Sequence, residues 1–74
     1  MKESNHLPEK IKTLRKKKDW TQQELAQNTG LYFNVITKIE QGVIQYPNLK
    51  TLLKIADAFG ISLDDLIGRK INNK

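Results

Sequence analysis

The chain has 74 residues, a net charge of +5, no cysteine and a single histidine. A chain of that length is one domain burying only about 60% of its unfolded surface, so a deep cleft between lobes is excluded. The missing cysteines exclude a disulfide framework, a thiolate metal site and a thiol nucleophile, and the lone His6 leaves no basis for a His-built zinc site or catalytic triad.

Residues 1–6 read as a flexible polar arm, because Lys2, Glu3, Ser4, Asn5 and His6 lead into charge and not into the apolar segment of a signal peptide. Leu7, Ile11 and Leu14 then repeat at helical spacing, and Pro8 is acceptable only in a first turn, so a first helix is expected over residues 7–17. Asp19 falls where a left-handed capping residue is useful. Thr21-Gln22-Gln23-Glu24 is a capping-box pattern that opens a second helix running to about Asn28 and stopping at Gly30. A third helix is expected over 33–41, closed by Gly42.

Asn48, after Pro47, is a good N-cap for a fourth helix, on which Leu49, Leu52, Leu53, Ile55, Ala56 and Phe59 form one apolar stripe ending at Gly60. Ser62-Leu63-Asp64-Asp65 caps a short fifth helix that ends near Gly68, and residues 69–74 read as a frayed basic tail. No segment alternates with period two for long enough to suggest a sheet. The expected fold is all-α, five short helices in one domain over residues 7–68. Apolar runs are a few residues long, against the roughly 20 that span a bilayer, and a cytoplasmic protein without membrane attachment is expected.

Charge is unevenly placed. Residues 1–18 hold seven cations against two anions, residues 19–68 three against six, and residues 69–74 three cations and no anion. Such clustering suits a polyanion such as nucleic acid, although a solvated lysine face gives the same count.

The informative segment is Thr21 to Gly42. At 100° per residue, Val35, Ile36 and Ile39 share one side of the third helix, while Phe33, Asn34, Thr37, Lys38 and Gln41 share the other. That second side carries an amide, a hydroxyl, a cation and an aromatic ring, all groups able to meet base edges in a major groove. A merely solvated face is the alternative, and Phe33 argues against it, being costly to leave wet.

The ordered series Thr21-Gln22-Gln23-Glu24-Leu25-Ala26, Gly30, Ile36-Thr37-Lys38-Ile39-Glu40-Gln41-Gly42, Pro47, Leu52, Ile55-Ala56 and Gly60-Ile61-Ser62-Leu63-Asp64-Asp65-Leu66 resembles the Cro/cI-type (XRE) helix-turn-helix family, lambda-repressor-like in fold. The resemblance covers roughly residues 11–67. It implies a sequence-specific regulator of transcription, a repressor first, that places helix 33–41 in the major groove of duplex DNA as a dimer on two half-sites. A phage-type repressor, a controller of a restriction-modification system and an antitoxin all fit within it. Base reading falls, by the same resemblance, to Phe33, Asn34, Thr37 and Lys38, with Asn34 suited to adenine, Lys38 to guanine and Phe33 to a thymine methyl.

Gln22 corresponds to the family's phosphate-contacting glutamine, and Arg15 with Glu40 to a structural ion pair. Gln41, Tyr46 and Lys50 are the remaining phosphate candidates, since Val43-Ile44-Gln45-Tyr46 lacks the cations the family often has there. Tyr32 stands where the family usually has a capping serine or threonine. Dimer contacts are assigned to Leu63, Ile67 and Ile71, with Leu66 kept for the core; the alternative is that all four cover the domain's own core.

A second functional class keeps the fold and binds a protein partner, with DNA secondary; the apolar loop and Phe33 favour it. An enzyme is not expected, because Glu24, Asp64 and Asp65 serve as capping residues and no nucleophile–base pair or metal cluster stands out. No cofactor, metal or small-molecule substrate is expected.

Overall fold

A computed structural model of the chain describes residues 6–68. Five helices follow in order: α1 Leu7–Lys17, α2 Gln22–Thr29, α3 Phe33–Glu40, α4 Leu49–Phe59 and α5 Leu63–Ile67. No strand occurs among the described residues. The all-α architecture therefore stands as expected, and its boundaries have local chemical causes.

Pro8 lies in the first turn of α1, where a missing N–H breaks no helical bond. At the head of α2 the Glu24 amide donates to Thr21 Oγ1 at 3.0 Å and the Thr21 amide donates to Glu24 Oε1 at 2.8 Å. This reciprocal box satisfies two amides that the helix itself cannot. Asn48 and Ser62 accept the Thr51 and Asp65 amides in the same manner at α4 and α5.

All five helices close on a left-handed residue, Asp19, Gly30, Gly42, Gly60 and Gly68 in turn. Asp19 has φ +63, which lets the Trp20 amide donate to the Arg15 carbonyl and the Asp19 amide to the Lys16 carbonyl, both at 3.0 Å. Gly42, at φ +82, closes α3 alike, with Val43 N–H to the Lys38 carbonyl at 2.9 Å and Gly42 N–H to the Ile39 carbonyl at 3.1 Å. Both are Schellman closures, which occupy carbonyls left over at a helix end. The helix expected over 33–41 thus stops one residue earlier, and Gln41 is its C-cap.

The core takes side chains from every helix: Leu7 and Ile11, Leu25 and Ala26, Ile36 and Ile39, Ile55, Ala56 and Phe59, and Leu66. Helix α2 packs on α3 and α4, α1 on α3 and α5, and α4 on α5. Trp20, in the α1–α2 turn, stacks on Phe59 with ring centroids 5.6 Å apart and planes at 23°, while Lys18 Nζ sits 5.5 Å from the Trp20 centroid. The stack ties that turn to the end of α4, and the cation over the ring lies within the turn itself.

The α4 stripe is narrower than its sequence pattern. Leu52, Ile55, Ala56 and Phe59 are buried or half-buried, whereas Leu49 and Leu53 are exposed. At 100° per residue these two lie roughly 60° and 100° to one side of Leu52, beyond the arc that the neighbouring helices cover.

Candidate nucleic-acid interface

Helices α2 and α3 meet across a turn at residues 30–32. Gly30 adopts φ +77, a conformation that a Cβ disfavours. The buried Thr29 hydroxyl completes the turn, donating to the Ala26 carbonyl at 3.0 Å and accepting the Leu31 amide at 3.2 Å. With Leu25, Ala26, Ile36 and Ile39 all buried, the angle between the two helices is fixed by packing on their inner faces.

The outer face of α3 is open. Phe33, Asn34, Lys38 and Gln41 are exposed and Thr37 is half-buried, while Val35, Ile36 and Ile39 turn inward. All four expected base readers are thus brought together on one face. Thr37 Oγ1 donates to the Asn34 carbonyl of its own helix at 3.0 Å, which leaves the hydroxyl oxygen as an acceptor. Tyr32 has extended dihedrals and makes no side-chain cap, so α3 begins without the capping group that α2, α4 and α5 possess.

One carboxylate holds the far end of this helix. Glu40 is 2% exposed, and its Oε2 and Oε1 accept from Arg15 Nε at 2.7 Å and Arg15 Nη2 at 2.9 Å. The fork is completed by Arg15 Nη1, which donates to the Trp20 carbonyl at 3.0 Å. Gln22 Nε2 donates to the same Glu40 Oε1 at 3.0 Å. Planar guanidinium and carboxylate meet with both bonds formed, the geometry in which such a pair is strongest. Hydrogen bonding to Glu40 raises the Arg15 pKa above its ordinary value, with burial opposing the rise and the carboxylate charge adding to it. The network joins α1, the α1–α2 turn, the first residue of α2 and the last residue of α3. No buried side-chain nitrogen or oxygen among the described residues is left without a partner.

Gln22, expected at a phosphate, therefore reaches inward to Glu40 and keeps one amide N–H beyond that bond. The sequence signalled the Arg15–Glu40 pair only through its family resemblance, and it gave no sign of the Gln22 bond, the Trp20 carbonyl or the Thr29 hydroxyl. Gln41, Tyr46 and Lys50 are exposed, at the end of α3, in the following loop and in the first turn of α4. On α5, Leu66 is fully buried, Leu63 half-buried and Ile67 exposed; Ile71 lies outside the described residues, as do the arm at 1–5 and the tail at 69–74.

Among the described residues no group of three or more His, Cys, Asp or Glu is placed to hold a metal ion. No helix among them is long and apolar enough to cross a membrane.

A family model described as helix-turn-helix matches residues 11–66. The chain is 36% identical over 63 residues to the cryptic phage CTXphi transcriptional repressor RstR of Vibrio cholerae, covering 85% of this chain and 55% of that protein. It is 34% identical over 62 residues to the HTH-type transcriptional regulator AnsR of Bacillus subtilis, covering 84% and 53%. The chain thus spans about half the length of the curated relatives it matches. Among solved structures, the N-terminal DNA binding domain of SinR from Bacillus subtilis superposes with a TM-score of 0.82 at 25% identity, over 90% of this chain and 97% of that one. A transcriptional regulator from Listeria innocua shares the fold, with a TM-score of 0.79 at 18% identity over 97% and 66% of the two chains.

Proposed function

The chain belongs to the Cro/cI-type (XRE) helix-turn-helix family, and from that premise we propose that it is a DNA-binding domain of a transcriptional regulator, a repressor first, and not an enzyme. The carrying observation is the pose of α3: its inner face is buried, its end is clamped by Glu40, and its outer face presents Phe33, Asn34, Thr37 and Lys38. A short helix held this way enters a major groove with its first residues at the base edges. Asn34 is suited to the adenine N6/N7 edge and Lys38 to guanine O6/N7. Gln22, Gln41, Tyr46 and Lys50 serve the phosphates, Gln22 through its second amide hydrogen.

A domain of this size reaches only a few base pairs, so useful discrimination calls for two copies on half-sites about one helical turn apart. Leu63, Ile67 and Ile71 are the proposed contacts between copies, Leu66 being spent on the core. The expected location is the cytoplasm, where the genome of a bacterium or phage is accessible. Relatives whose names include a phage transcriptional repressor and an HTH-type transcriptional regulator support this reading.

The test is selection of binding sites from a random duplex pool, followed by titration at several salt concentrations. A regulator enriches a specific site and binds it with an affinity that falls steeply with salt. Failure to enrich any duplex, with a flat salt response, contradicts the proposal. A second reading, a protein-binding module on the same fold, is favoured by the exposed Val43, Tyr46, Leu49 and Leu53; it predicts that failure.

A further inference from the structure

Phe33 is the first residue of α3 and stands outside the core cluster with 42% of its surface exposed. The ring is not among the buried core residues, and its neighbours on the same face, Asn34 and Lys38, are polar and exposed. A phenyl ring has no hydrogen bond to offer. Pressed against a base carbonyl or exocyclic amine it leaves that group dehydrated and unpaired, which is unfavourable. The major groove edge has one apolar group to match it, the C5-methyl of a pyrimidine. Thymine carries that methyl by nature, and 5-methylcytosine presents the same group at the same place on its ring.

Resting on the DNA-binding reading above, we propose that Phe33 makes this protein a reader of pyrimidine C5-methyl groups, so that its affinity for a site responds to the methyl itself and not only to the base-pair identity. The occupant of the exposed ring is duplex DNA carrying that methyl at the position under the start of α3. Asn34 and Lys38 sense hydrogen-bonding pattern and are indifferent to the methyl. Phe33 senses the methyl and forms no hydrogen bond with the pattern.

The experiment uses the full chain and the duplex enriched by site selection. Each thymine is replaced in turn by deoxyuridine, which removes the methyl and retains every hydrogen-bonding group. Wild type is expected to lose about fourfold in affinity at one thymine of each half-site, the worth of one buried methyl-sized group, and little at the others. Phe33→Ala should bind with equal affinity to the thymine and deoxyuridine forms at that position, while Phe33→Leu retains the difference. With a C·G pair there instead, adding the cytosine C5-methyl should restore a similar factor to wild type and nothing to Phe33→Ala; no gain from the cytosine methyl assigns the contact to thymine alone. The inference is overturned if no thymine responds, or if the response persists in Phe33→Ala. Either result leaves DNA binding standing, whereas failure to enrich any duplex removes the reading on which this one rests.

Discussion

Arg15 and Glu40, 25 residues apart in sequence, are joined by two hydrogen bonds of 2.7 and 2.9 Å, and the carboxylate end of the pair is buried. Taking a carboxylate out of water is unfavourable, and the fork from Arg15 with the amide of Gln22 is what offsets it here. The pair's structural consequence is directional: it fixes the last residue of α3 to α1, so the outer face of α3 cannot roll independently of the domain.

Replacing Arg15 with Met therefore strands a buried carboxylate. The expected loss of stability is about 3 kcal/mol, a large share of what a domain this small possesses. Combining it with Glu40→Leu should recover part of that loss, because the stranded charge is then gone. Urea denaturation of the two single variants and the double variant closes the cycle, and a coupling energy near zero contradicts the role given to the pair.

Helix α3 starts without a side-chain cap at Tyr32. Tyr32→Ser should supply the missing acceptor and raise stability by about 0.5–1 kcal/mol, while Thr21→Ala, which removes half of a capping box, should lower it by about 1 kcal/mol. Thermal unfolding followed by circular dichroism reads both changes. If Tyr32→Ser lowers the midpoint, the exposed ring contributes something that its surroundings do not show.

Asp19 holds φ +63 without being glycine. A β-branched residue tolerates that region poorly, so Asp19→Val should destabilise by about 1–2 kcal/mol although the site is exposed. Asp19→Gly should fall within about 0.5 kcal/mol of wild type, since relief of strain and the freer unfolded chain act in opposite directions. Equal effects of the two substitutions in urea titrations argue against a backbone origin.

Much of this architecture was legible because its signals are local. Pro8, the Thr21–Glu24 box, Asn48, Ser62 and the glycines each state where a helix begins or ends within four residues of themselves. What lay beyond reach depends on partners distant in the chain. Periodicity grouped Leu49 and Leu53 with the α4 stripe, but a stripe's width is set by how much of it other helices cover, and that is a tertiary property. Trp20 sits in a turn with no periodicity, so nothing nearby announces its stack on Phe59. Gln22 was legible as a surface amide at the head of α2, whereas its bond to Glu40 spans 18 residues and two helices.

On α5, Ile67 is exposed beside the fully buried Leu66. Ile67→Glu should weaken self-association and cooperative occupancy of a two-half-site duplex without unfolding the domain, because the exposed position tolerates charge. Sedimentation equilibrium, alone and with the selected duplex, measures this. An unchanged stoichiometry and unchanged cooperativity place the contact between copies elsewhere.

Reading of base edges by the outer face of α3 is the proposal on which the others depend. Affinities of wild type, Asn34→Ala and Lys38→Ala for the selected duplex and for a scrambled duplex, at one fixed salt concentration, test it most directly. Each substitution is predicted to lose about 1–3 kcal/mol on the selected duplex and much less on the scrambled one, so that the ratio between them collapses. Equal losses on both duplexes contradict the claim and make these residues grips on the DNA backbone.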